Sequence, residues 1–156
     1  MLEGGEDIKF IARRMIILAA EDVGLANPNA LLIANACFDA VSKIGMPEAR
    51  IILSEAVIYL ATSPKSNSAY MAIDAALAKV KETGDLPIPL HLRNAPTKLM
   101  KNLDYGKNYK YAHSYENNFV EQQYLPDKLA DTEFYSPGKN QKEDSIKKFM
   151  SWLRKK

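Results

Sequence analysis

The sequence predicts an all-α fold: a helical bundle followed by a long irregular segment with at most short strands after residue 105. Three observations predict it. Apolar residues recur at intervals of three and four from Asp7 to about residue 82, the spacing of one face of a helix. Prolines and glycines fall at the ends of these runs rather than inside them. From Gly106 to Gly138 no period is sustained.

The first helix is expected from Asp7 towards Asp22, with Ile8, Ile11, Met15, Leu18 and Ala19 on one side. Glu6 and Asp7 suit the partial positive charge at its start, and Gly24 ends it. In NPNALLIANACFDAVSKIG, Asn27 is expected as N-cap, accepting from free backbone N–H groups. Pro28 takes the first helical position and Gly45 supplies the left-handed exit. Asn35, Asp39, Ser42 and Lys43 make a narrow polar stripe; nearly everything else there is apolar. MPEARIILSEAVIYLATS repeats the pattern from Pro47, with Arg50, Ser54 and Glu55 as its polar stripe. A fourth helix, SNSAYMAIDAALAKVKETG, presents Tyr70, Ile73, Leu77 and Val80 on one face and ends at Gly84. Its alanines 69, 72, 75 and 76 permit close helix approach.

The second and third helices are apolar over more than half their circumference and need cover on several sides. Four helices supply much of that cover, and a neighbouring copy of the chain could supply the rest. Beyond Gly84, DLPIPLHLRNAP reads as extended and Pro96 opens a short helix, PTKLMKNLDYG. KEDSIKKFMSWLRKK is helical again. Ile146, Phe149, Met150 and Leu153 form an apolar side that docks on the body, and Lys147, Lys148, Arg154, Lys155 and Lys156 make the helix basic.

A length of 156 residues fits one domain with a core. The formal charge of +2 permits an acidic partner without demanding one. Cys37, the single cysteine, lies in an apolar run, which points to a buried thiol, no disulfide framework and a cytoplasmic location. No apolar run reaches the roughly 20 residues that span a bilayer, so no membrane is expected. The opening MLEGGEDIKF starts acidic and does not read as a leader.

A P-loop needs a glycine, four residues, then Gly-Lys-Ser or Gly-Lys-Thr, so that backbone N–H groups wrap a phosphate. PGKN at 137–140 lacks both the earlier glycine and the hydroxyl, and no dinucleotide fingerprint is present. His91 and His113 have no ligand at metal-site spacing, so no metal is expected. Ser114 adjoins His113, but consecutive side chains rarely face each other productively, and Glu116 or Glu121 near His113 is ordinary surface polarity. The stronger signal is basic and aromatic. Arg93, Lys98, Lys101, Lys107 and Lys110 stand against Asp104 alone, among Tyr105, Tyr109, Tyr111 and Tyr115. These rings either stack on unpaired bases or pack onto the helices with their hydroxyls wet; packing is the expected use. Arg93, Lys98, Lys101, Lys107, Tyr109, Lys110 and Tyr111 are the candidate surface for nucleic acid or a partner.

GGEDIKFIARRMIILAAEDVGLANPNAL, IGMPEARIILSEAVIYLATSPKSNSAYMAIDAAL, PIPLHLRNAPTKLMKNLDYGKNYKYAHSY and NNFVEQQYLPDKL resemble, in this order, the C-terminal region of the MgsA/RarA family. These are replication-associated recombination ATPases of the AAA+ class, with the Werner-helicase-interacting ATPase among their relatives. The resemblance covers residues 1–137, taken as an oligomerisation domain; residues 138–156 form a basic helical tail. It implies that the chain is a fragment whose ATPase domain, with ATP and Mg, lies elsewhere, so no catalytic residue is carried over and no cofactor is expected here. It implies an all-helical fold like the clamp-loader collar and assembly into a homotetramer. It further implies a bacterial, cytoplasmic, nucleoid-associated protein that meets DNA and single-strand-binding protein at stalled forks. The leading expectation is a non-catalytic tetramerisation module of an AAA+ ATPase in DNA replication, recombination and repair. The alternative is a DNA-binding or single-strand-binding-protein adaptor using segment 93–115.

Overall fold

A computed structural model describes residues 1–154; the basic character assigned to Lys155 and Lys156 lies outside the described residues. Among them are six α-helices: α1 (Ile8–Leu18), α2 (Asn29–Ile44), α3 (Ala49–Thr62), α4 (Ser68–Thr83), α5 (Lys98–Asn102) and α6 (Gln141–Leu153). The chain divides into two compact units, one of residues 1–76 with the chain from Phe134 onward, the other of residues 77–133. α6 thus belongs with the helical bundle. No strand occurs among the described residues. Where short strands were allowed after residue 105, the chain makes 3-10 turns at Ala112–Ser114, Glu116–Asn118 and Asp127–Leu129. Asn117 and Asn118 sit at φ of 59° and 53°, left-handed values that turn the backbone before an extended ladder can begin.

In the first unit, Asp7 caps α1 by accepting from the backbone N–H groups of Lys9 (2.6 Å) and Phe10 (3.0 Å). A π-helical turn, Ala19–Val23, carries the helix on to Gly24 at φ 48°. A Cβ on Gly24 would lie 2.5 Å from the Ser66 carbonyl oxygen, so the residue is held to glycine by backbone sign and by space.

α2 packs between α1 and α3. The buried side chains are small: Ala12, Ala19, Ala30, Ala34, Ala49 and Ala56 meet around Ile11, Met15, Val23, Val41, Leu53 and Leu60. Cys37 is buried as expected, its Sγ 3.8 Å from the Ile52 carbonyl oxygen. Burial pushes its thiol pKa up, and the nearby Glu55 charge adds to the effect.

Two expectations are corrected. Asn27 does not cap α2, whose N-cap position is Pro28 without a side-chain bond. Instead the Asn27 amide donates to Tyr59 Oη (3.0 Å) and Ser63 Oγ (3.1 Å), tying the entry of α2 to the end of α3. The face Tyr70–Ile73–Leu77–Val80 of α4 is exposed, and Ser68 is the one residue of that helix that is buried. Cover for α2 and α3 therefore comes from α1 and from each other, and their outer apolar side chains remain in solvent: Leu31, Leu32, Ile51, Val57 and Ile58, with Leu32 69% exposed.

The expectation that α6 docks by an apolar side is met only in part. Ile146, Met150 and Leu153 are half-buried, but Phe149 is exposed and stacks on Trp152 at 5.9 Å. The fully buried anchor is a carboxylate, Glu143, at 0% exposure. Its oxygens accept from the hydroxyls of Ser68 and Tyr135 (3.0 Å), the Gly138 N–H (3.0 Å) and the Asn140 amide (2.5 Å). Asn140 returns the bond by accepting from the Glu143 N–H at 3.0 Å, a capping box that starts α6. No cation takes part. Burial alone raises the carboxyl pKa, and the donors from Ser66, Ser68, Gly138 and Asn140 outweigh it, holding the group at about 2. The same carboxylate, after burial, raises the pKa of the Tyr135 phenol.

Replacing Glu143 by alanine leaves the buried Ser68 hydroxyl and the part-buried donors of Tyr135, Gly138 and Asn140 without their acceptor and is expected to destabilise the first unit by about 2–4 kcal/mol in urea melts at pH 7. A depressed carboxyl pKa stabilises the fold above the ordinary value of 4.5, and that contribution is lost as pH falls towards about 2. The gap between wild type and Glu143→Gln should therefore narrow across this window.

Candidate nucleic-acid interface

The unit of residues 77–133 contains none of the buried side chains found among the described residues. Polar bonds shape it instead. Thr97 caps α5 by accepting from the Met100 N–H at 3.2 Å. Three left-handed residues follow within five positions: Asp104 (φ 61°), Gly106 (72°) and Asn108 (64°). Aspartate and asparagine tolerate this region better than other side chains, and the tight curl returns the chain so that the Gly106 N–H donates to the Leu90 carbonyl at 2.9 Å. A third segment joins them. His91 Nε2–H donates to the Gln123 carbonyl (2.8 Å), the Lys110 N–H to Gln122 Oε1 (2.8 Å), and Lys110 Nζ to the Glu121 carbonyl (3.1 Å).

These three segments enclose an open cleft of about 510 Å³, lined by Leu90, His91, Asp104, Lys107, Asn108, Lys110 and residues 121–123. Gln122 has a fixed role at its oxygen and none at its nitrogen. Oε1 is taken by Lys110, and Nε2 is buried without an acceptor. A buried donor left unpaired costs about 1–3 kcal/mol.

The seven nominated residues fall into four groups. Arg93 is structural: Nε donates to the Ile88 carbonyl (2.7 Å), Nη1 to Tyr105 Oη (3.1 Å), and the guanidinium lies 5.1 Å from the centre of the Tyr105 ring. Lys107 and Lys110 line the cleft, Lys107 paired with Asp104 at 3.0 Å. Lys98 and Lys101, one turn apart on α5, are exposed and make no ion pair among the described residues. The tyrosines depart from the expected packing. Tyr109, Tyr111 and Tyr115 are 50%, 58% and 44% exposed, too open for rings used as core. Tyr111 lies 5.1 Å from the His113 ring, and His113 Nδ1 is 3.2 Å from Asn118 Oδ1, an exposed pairing with no nucleophile in it.

Sequence reasoning did not find Asn108, Gln122 and Gln123 as cleft residues. Polar side chains without a period carry no address in one dimension. The single trace was Asn108 two residues after a glycine, a turn signal rather than a site signal.

The chain thus combines a helical bundle with a polar unit that holds no buried side chain among the described residues. The family model described as MgsA AAA+ ATPase C terminal matches residues 1–154, and the chain belongs to this family. The match runs 17 residues past position 137 (154 minus 137), so it takes in α6. The chain is 43% identical over 156 residues to Replication-associated recombination protein A of Coxiella burnetii, covering 99% of this chain and 36% of the relative. It is 41% identical over 154 residues to the protein of the same name in Escherichia coli K12, covering 98% and 34%. With ATPase WRNIP1 of Dictyostelium discoideum it shares 40% over 136 residues, 86% of this chain and 16% of the relative. The chain thus spans about a third or less of the curated relatives it matches.

Arg93→Ala should destabilise the second unit by about 1–3 kcal/mol, because it removes two hydrogen bonds and a ring contact together. Arg93→Lys should recover little, since an ammonium cannot reproduce the planar fork. Amide exchange of residues 88–106 reads the effect.

Proposed function

We propose that this chain is a non-catalytic assembly module of an AAA+ ATPase working in DNA replication, recombination and repair, and that it joins copies into a tetramer. The observation that carries the reading is the outward placement of large apolar side chains on α2 and α3 while alanines fill the interior. Stable homo-oligomeric contacts cover about 800 Å² or more per partner, with an apolar centre. Leu31, Leu32, Ile51, Val57 and Ile58 offer such a centre; in this reading the longer protein uses ATP and Mg and works at the bacterial nucleoid. Catalysis belongs to the ATPase domain of that protein.

A second reading is favoured by one observation of its own. The same unit carries exposed tyrosines at 109, 111 and 115 and the uncommitted Lys98 and Lys101, the rings and charges that a single-strand surface uses. In this reading the segment 93–115 holds single-stranded DNA or hands it to a single-strand-binding protein, and both uses are compatible in one assembled particle.

Light scattering after gel filtration should give four times 17.5 kDa, and Leu32→Asp with Ile58→Asp should lower that mass without unfolding the helices. A mass of 17.5 kDa at high concentration overturns the first reading. For the second, changing Lys98 and Lys101 to alanine should weaken binding of a fluorescent single strand and reduce the slope of log affinity against log salt by about 1–2.

A further inference from the structure

We infer that the cleft between residues 90–93, 104–110 and 121–123 is a pocket for an unpaired nucleobase, reading its edge rather than its phosphate. The inference rests on the single-strand reading above and names the part of the strand that the cleft takes.

The lining decides between base and phosphate. Lys107 and Lys110 bring two positive charges and Asp104 and Glu121 two negative ones, so the cleft carries no net charge with His91 neutral. Lys107 is already paired with Asp104. A phosphate, which only accepts hydrogen bonds, meets two carboxylates here and gains little. A base edge presents donors and acceptors side by side, and the cleft answers both. The Asn108 and Gln122 amides and the Asp104 and Glu121 carboxylates line it with one apolar side chain, Leu90, while the Gln123 amide is taken by the Leu125 carbonyl and Asp127 Oδ1, each at 2.8 Å.

Gln122 makes the match directional. Its Oε1 is held by the Lys110 N–H, so the amide is fixed with Nε2 as the donor it still has to give. That nitrogen is shielded in the empty cleft, and a small turn of the side chain about the held oxygen offers it to a carbonyl oxygen or ring nitrogen of the base. Asn108 is set beside it by the left-handed curl of 104–108, a conformation fixed before any ligand arrives. Tyr109 and Tyr111, half exposed on either side of Lys110, give neighbouring bases a face to stack on. A cleft of about 510 Å³ lined by amide donors fits one base with its neighbours outside.

The test compares fluorescent 20-mers of dC and dT with an abasic 20-mer of the same charge, using the whole chain. The base-bearing strands should bind at least about tenfold more tightly than the abasic one, the range of one good base-edge pairing. Gln122→Glu keeps the acceptor for Lys110 and removes the donor. Asn108→Gly removes the amide while easing the left-handed backbone. Each should reduce that preference severalfold; the preference is a ratio against an abasic strand of the same charge, so the charge added by Gln122→Glu largely cancels from it. Equal, salt-sensitive binding of base-bearing and abasic strands overturns the pocket together with the stacking part of the single-strand reading, leaving strand binding by charge alone. No binding of any strand overturns both, and so does binding of an acidic peptide in preference to every strand. Unchanged preference in the two variants, with melting curves like wild type, overturns the pocket alone.

Discussion

The rest of this structure depends on an interior made of alanine. Of the fourteen buried hydrophobic side chains among the described residues, seven are alanine. Small side chains at a helix contact let two backbones approach to the short end of the usual 8–10 Å, which gains close packing but buries little area per residue. α1, α2 and α3 are held by contact along their small faces, and beyond Ile11, Met15, Leu53 and Leu60 little room is left inside for bulkier residues. Leu31, Leu32, Ile51, Val57 and Ile58 are outside for that reason. In a lone soluble domain of this size the large aliphatic residues would carry the core. Here the inner and outer surfaces of the same two helices are divided by side-chain volume, and the larger share of unspent hydrophobic free energy faces outward.

A bundle with so modest a core gains from polar ties of high quality. Glu143 supplies one. A buried carboxylate is costly unless its lone pairs are filled, and neutral donors fill these without bringing a second charge out of water. Its donors come from the start of α4, the loop at 135–138 and its own helix cap, so one side chain fixes three segments of the first unit. The space is equally determined. A Cβ on Gly138 would come within 2.7 Å of the Glu143 carboxylate and 2.9 Å of Ser66 Oγ, and Ser66 in turn donates its N–H to the Asp22 carbonyl beside Gly24. Asn27, Tyr59 and Ser63 make a second tie of the same kind. The bundle is thus closed at its polar joints as much as in its middle.

This division explains what could be read in advance. The helices were legible because periodicity and end residues are local: Asp7, Gly45 and Gly84 stand where the pattern puts them. The burial of Cys37 followed from its apolar neighbours. Asn27 was misassigned because its sequence position fits a cap and only the fold brings α3 within its reach. Glu143 gave no signal, since a glutamate three residues into a charged helix looks solvated, and its burial arises from residues 68, 135 and 138 that the chain gathers from afar. The exposure of the tyrosines was illegible for the opposite reason. Packing was the sound expectation for rings in a folded chain, and it fails where a unit has no core to receive them. For the candidate surface, charge was visible and commitment was not: nothing in one dimension separates Arg93, locked on Tyr105, from Lys98, which is uncommitted.

In the proposed reading the two units meet their partners by different physics. The first offers aliphatic surface, whose association is weakened little by salt and strengthened by excluded anions such as sulfate. The second offers rings, amides and a few cations on segments held by hydrogen bonds, a surface that gains affinity by stacking and edge recognition and loses part of it to counterions. An assembly built on the first can form under conditions where the second is empty, and repeated copies then place several weak strand sites on one particle. Multiplying such sites raises the local concentration seen by a bound strand, so that affinity per copy need not be high for the whole to hold. In the proposed reading the outward aliphatic face and the polar unit then solve one problem: the first gathers copies, and the gathering makes the second strong enough to matter.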